Sequence, residues 1–80
     1  MELSKRILKN GDKLRYISFT IAECEDFNIH VGDKLILTID GVQLPKRTAR
    51  MQSVIRVYIP AKFIKRFKAG QRYQVKVRHV

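Results

Sequence analysis

Two stretches of the chain alternate strictly between apolar positions and polar or exposed-type positions. Ile17, Phe19 and Ile21 form one trio; Leu35, Leu37 and Ile39 form another. Successive residues of a strand point to opposite faces, so each trio predicts a half-buried strand with one side toward a core. The pattern then recurs. A displacement of 38 positions lays Ile17, Phe19 and Ile21 on Ile55, Val57 and Ile59, and lays Leu35, Leu37 and Ile39 on Tyr73, Val75 and Val77. Val31-Gly32 falls on Ala69-Gly70, so a glycine precedes the second trio in both copies. Tight or left-handed backbone is cheap there only for glycine. The pattern reads as an internal duplication inside a single domain, residues 1–80, with repeat one at about 3–41 and repeat two at about 42–80.

The remaining positions fill in the elements. A strand near Ser4–Lys9 runs into Asn10-Gly11-Asp12, a strong hairpin turn. A longer strand covers about Leu14–Ile21, and a short helix or turn occupies roughly Glu23–Asn28. The strand Lys34–Ile39 ends at the turn pair Asp40-Gly41. Repeat two opens with strands around Thr48–Gln52 and Val54–Ile59. Pro60 suits the first position of a helix, because its missing N–H would be unpaired there anyway. The helix expected at Ala61–Lys68 puts Phe63, Ile64 and Phe67 on one face and Lys62, Lys65 and Arg66 on the other. The last strand is Arg72–Arg78. Each repeat thus reads β-β-α-β. The expected fold is mainly β: a small, closed, six-stranded barrel with one or two short helices. Closure would leave no exposed edge in a chain of only 80 residues. The helical segments match poorly, since Phe63 and Ile64 fall on Glu25 and Asp26.

Charge changes the picture more than composition does. The net charge is +10. Residues 1–40 hold six basic and seven acidic residues, whereas residues 41–80 hold eleven basic residues and no acid. Heat-adapted proteins rich in lysine balance it with glutamate in ion-pair networks, which an acid-free half cannot build within itself. A concentrated positive field attracts polyanions and speeds their encounter.

Other classes find little support. The hydrophobic fraction of 45% suits a folded chain rather than a disordered tail. No apolar run approaches the roughly 20 residues of a membrane span, and the start, Met1 to Arg6, lacks the apolar stretch of a signal peptide. A cytoplasmic location without membrane association is expected. Cys24 is the only cysteine, and one cysteine with two distant histidines, His30 and His79, makes no zinc site. Glu23, Glu25 and Asp26 read as a solvated face. No phosphate loop, HExxH or nucleophile elbow is present, so no catalytic residue, metal or cofactor is expected.

One resemblance rests on specific residues. Val57-Tyr58-Ile59-Pro60, a basic amphipathic segment, Ala69-Gly70-Gln71 and an alternating strand together resemble the half-barrel of AbrB-like and MazE-like DNA-binding domains. Val31-Gly32-Asp33-Lys34 is similar to the Gly-Asp turn of that unit. With both halves in one chain, the pattern also resembles the double-psi and RIFT members of the cradle-loop barrels. The chain departs in three places: the Pro60 to Gly70 spacing is tighter, repeat one has Ile21-Ala22 in place of Ile-Pro, and Gln71 stands where Asp is typical. The resemblance implies a transcriptional-regulator type of DNA binding, with contacts from the stretch holding Lys46, Arg47, Arg50 and Arg56.

The residues suggest how such binding would work. Pro45-Lys46-Arg47-Thr48-Ala49-Arg50 spaces its charges with small residues, as a groove-entering loop would. Arg47 and Arg50 are the candidates to read bases, since arginine offers planar bidentate donors. Lys62, Lys65, Arg66 and Lys68 would hold phosphates. RNA is the rival ligand; Tyr16 and Tyr58, on the outer face of matched strands, are the aromatics it would use. The alternative function is a protein-interaction barrel whose basic half docks an acidic partner, and homodimerisation stays open.

Overall fold

The alternating trios become the central strands of two antiparallel sheets in the computed structural model, which describes residues 2–80. Met1, included in the expected single-domain span, lies outside the described residues. In chain order the elements are β1 (Glu2–Arg6), β2 (Leu8–Asn10), β3 (Leu14–Phe19), α1 (Ile21–Phe27), β4 (Lys34–Ile39), β5 (Val42–Gln43), β6 (Arg47–Thr48), β7 (Arg50–Gln52), β8 (Val54–Ile59), a 3-10 turn at Ala61–Phe63, and β9 (Arg72–His79). One sheet runs β1-β9-β4-β5, with β6 also paired to β4; the other runs β2-β3-β8-β7. The fold is mainly β, as expected.

Each strand expected at the start of a repeat is split at one buried residue. Ile7 divides β1 from β2, and Ala49 divides β6 from β7; both are 0–1% exposed. The two halves of each split strand lie in different sheets. The backbone bonds at the two splits follow one scheme. The Ile7 N–H donates to the Gln71 carbonyl (2.9 Å) while the Ile7 carbonyl accepts from Gly70 (2.7 Å). The Ala49 N–H donates to the Asp33 carbonyl and the Ala49 carbonyl accepts from Gly32, both at 2.9 Å. Gly32 and Gly70 adopt φ of +91° and +88°, a conformation that side-chain-bearing residues rarely reach. No atom crowds either glycine, so backbone angle rather than space accounts for the residue type.

The ladders set positions 38 apart against each other. In the β3–β8 ladder Ser18 faces Arg56, and in the β4–β9 ladder Thr38 faces Lys76. The inward residues Ile17, Phe19, Ile55, Val57, Ile59, Leu35, Leu37, Ile39, Val75 and Val77 are buried, joined by Ile7, Ile29, Leu44, Ala49 and Phe67. Two turns also match expectation. Asp40 and Gly41, with φ of +51° and +79°, join Ile39 to Val42 as a tight hairpin. Gly11 (φ +70°) lies in the turn joining β2 to β3.

Two expectations require correction. Ile21 is not an inward strand residue; it is 80% exposed and opens α1. The reason is local. Thr20 accepts the Glu23 N–H (3.1 Å) and donates its own N–H to the Glu23 carboxylate (2.9 Å), a reciprocal cap that ends the strand at Phe19. Tyr73 packs against the core as expected but is only half-buried, with its hydroxyl accepting the Lys68 N–H. Finally, Ala61–Lys68 is not an α-helix. Its bonds run from Phe63 to Pro60, Ile64 to Ala61 and Arg66 to Phe63, each spanning three residues. The 3-10 winding rises about 2.0 Å per residue against 1.5 Å for an α-helix. It therefore covers more distance in the short span between β8 and β9, and it still buries Phe67 edge-on against Tyr73 (5.4 Å).

Candidate nucleic-acid interface

Basic residues of the second half converge with one from the first. An open groove of about 570 Å³ lies where the β2–β3 hairpin, the β6–β7 segment and the end of β8 meet. Lys13, Lys46, Arg47 and Arg50 line it, together with Asn10, Thr48, Gln52 and Tyr58, and no carboxylate does. All four cations are exposed. Among the described residues, no lysine or arginine of 41–80 is in an ion pair; the Lys5–Glu23 pair is the only one made by a lysine or arginine. The cations therefore keep their charge unneutralised by the protein. Unit charges a few ångströms from a phosphate at a surface attract it by a few kcal/mol before solvent and salt screen them.

The site residues expected from sequence separate into three groups. Lys46, Arg47 and Arg50 share the groove. Arg56 stands beside it on β8 with its guanidinium engaged: it lies 4.3 Å over the Tyr16 ring, and its NH1 donates to Gln52 Oε1 (3.1 Å) and to the Tyr58 hydroxyl (3.4 Å). Its Nε is buried without a partner. Lys62, Lys65, Arg66 and Lys68 are exposed but line no part of the groove. Because their segment is a 3-10 turn followed by further turns, they form no helical row. Lys62 instead sits 5.3 Å over the Phe63 ring.

Lys13 is the residue that sequence reasoning missed. It belongs to the half with net negative charge, and only the hairpin's position beside β6 and β7 makes it a neighbour of Arg47. The Asn10-Gly11-Asp12 turn signalled the hairpin, but not what the hairpin tip would face.

Two further clusters lie elsewhere. Lys5 reaches Glu23 at 2.8 Å, at the cap of α1. Burial pushes the Glu23 carboxyl up, but the Lys5 hydrogen bond, the Thr20 N–H and the Lys5 charge together hold it below its ordinary value. Burial and the adjacent Glu23 charge push the Cys24 thiol up, which lowers its share of the reactive thiolate form. The two histidines, far apart in sequence, both approach Asp33 Oδ2, His79 at 3.5 Å and His30 at 3.7 Å. His79 Nε2 also contacts the Asn28 carbonyl at 2.9 Å. Among the described residues no group of three or more His, Cys, Asp or Glu is arranged to hold a metal, and no helix is long and apolar enough to cross a membrane.

Comparison with known proteins returned no matching family model, no matching curated protein and no matching solved structure.

Proposed function

We propose that this chain is a non-catalytic nucleic-acid-binding protein that engages DNA through the groove of Lys13, Lys46, Arg47 and Arg50. The observation that carries the reading is the convergence of four unpaired cations on one groove with no carboxylate in its lining. Phosphates enter as counter-ions to these residues, and the small Thr48 in the lining leaves room for a backbone to approach. Arg47 and Arg50 supply bidentate donors, and Lys13 and Lys46 supply point charges.

The resemblance to AbrB-like domains and cradle-loop barrels agrees with this reading. A closed six-stranded barrel is supported by the order of the ladders. With β1 and β2 taken as one strand and β6 and β7 as another, the pairings β1–β9, β9–β4, β4–β6, β7–β8, β8–β3 and β3–β2 return to their start. Duplication is supported by the facing pairs 38 apart and by the matching bonds at Ile7 and Ala49. A transcriptional role would follow from DNA binding of this kind.

The test is a binding titration by fluorescence anisotropy with labelled DNA, on wild type and on the triple variant Lys46→Ala, Arg47→Ala, Arg50→Ala. The triple variant should lose at least tenfold in affinity while its melting temperature stays within a few degrees. Unchanged affinity would remove the groove from the account. Competition with polyglutamate tests the other reading, docking of an acidic partner: displacement of DNA by polyglutamate at equal charge would favour it.

A further inference from the structure

We infer that the outward face of the β2-β3-β8-β7 sheet is a stacking platform for unpaired bases, so that the strand held in the adjoining groove is single-stranded nucleic acid. This rests on the groove being a nucleic-acid site and adds which form of nucleic acid it takes. Inward burial of Ile17, Phe19, Ile55, Val57 and Ile59 sends the alternate residues Tyr16, Ser18, Arg56 and Tyr58 to the opposite face. On that face Tyr16 and Tyr58 are direct ladder partners with ring centroids 5.5 Å apart and planes tilted by 50°. Arg56 lies 4.3 Å over the Tyr16 ring. The Tyr58 hydroxyl donates to Gln52 Oε1 at 2.6 Å, and the same oxygen accepts from Arg56. All four outward residues are half-buried: they are neither core nor freely mobile.

The platform is therefore built from three planar groups held by mutual contacts. Rigid, partly exposed rings lose little entropy when a base stacks on them, and arginine's planar guanidinium adds a second stackable surface. The platform is also continuous with the basic groove, because Tyr58, Arg50 and Gln52 line that groove. A strand whose phosphates lie on Lys13, Lys46, Arg47 and Arg50 thus has the rings beside it. In a duplex each base already stacks on its neighbours and offers only an edge, so a ring platform favours strands with free base faces.

The chain has three tyrosines and no tryptophan, so intrinsic tyrosine emission reports on the platform directly. The third, Tyr73, is engaged with Phe67, Lys68 and Gln71. Oligo(dT), oligo(rU) and a duplex of equal phosphate number are titrated against wild type, Tyr73→Phe, Tyr16→Leu, Tyr58→Leu and Tyr16→Phe. Wild type should bind oligo(dT) at least tenfold tighter than duplex, with tyrosine emission quenched and the quench kept in Tyr73→Phe. Each leucine variant should lose roughly tenfold on oligo(dT) and little on duplex, whereas Tyr16→Phe keeps its affinity. Oligo(rU) binding as tightly as oligo(dT) supports the platform and means the 2′-hydroxyl is not read. Equal or tighter duplex binding, or binding of oligo(dT) without quenching, overturns the inference yet leaves the groove standing. Unchanged oligo(dT) affinity in the Lys46→Ala, Arg47→Ala, Arg50→Ala variant overturns the groove itself. The quench in wild type decides the matter even if a leucine variant fails to fold.

Discussion

Single residues explain where the alternation misleads. Ile21 continues the apolar trio of β3, yet it is exposed because Thr20 and Glu23 form a reciprocal cap one residue earlier. The Thr-x-x-Glu spacing was readable in the chain; the regular alternation simply outweighed it. The cap also carries a pH dependence. Burial raises the Glu23 carboxyl, and the Lys5 and Thr20 hydrogen bonds and the Lys5 charge outweigh it, so the folded-state value lies below the ordinary 4.5. A depressed carboxyl contributes stability that is fully present above about 4.5 and disappears as pH falls through the folded value. Glu23→Gln keeps the cap but loses the ion pair. The stability gap between wild type and this variant should be constant from pH 7 to 5 and close at lower pH in urea denaturation. A gap that widens on acidification would contradict this assignment. Gly70, at φ +88°, makes a second prediction. Gly70→Ala should lower stability by about 1–2 kcal/mol, although the space beside it is open. A neutral effect in the same denaturation experiment would mean that the turn relaxes freely.

At the scale of elements, the central strands and their hairpin turns were legible, and the strand splits and the winding after Pro60 were not. β4 and β8 have the boundaries that the period-two pattern assigns, Lys34–Ile39 and Val54–Ile59. The strands expected at the start of each repeat hide a split at Ile7 and Ala49, because a change of sheet leaves no mark in an alternation that only records in and out. The segment after Pro60 has helical spacing of Phe63, Ile64 and Phe67, but its backbone bonds span three residues rather than four. Phe67 is the anchor of that segment, 1% exposed, so Phe67→Ala should cost about 3–5 kcal/mol and release the Lys62–Lys68 turns to faster proteolysis. The same winding leaves Lys62 and Lys65 outside the groove. Lys62→Ala with Lys65→Ala should therefore lower DNA affinity by no more than about threefold, much less than the groove variants; a loss equal to theirs would extend the interface across the 3-10 turn.

For the whole molecule, the charge asymmetry between halves points to the basic half without locating a groove. The fold resolves it by bringing Lys13 of the acidic half into the basic groove and by leaving Arg56 to hold the Tyr16–Tyr58 pair. Most of the core was readable from the two trios and their recurrence. The groove was readable only in part, since its composition depends on which hairpin the β6–β7 segment lies beside. The most direct test of the central claim is the salt dependence of affinity for DNA. Four groove cations that release about four counter-ions predict that log affinity falls with log salt at a slope of about −3, nearer −2.8 for single strands and −3.6 for duplex. The slope should flatten to about −1 in the Lys46→Ala, Arg47→Ala, Arg50→Ala variant, which keeps only Lys13 of the four. An affinity in wild type that barely changes between 50 mM and 200 mM salt, roughly the range over which counter-ion release is resolved, would contradict the account.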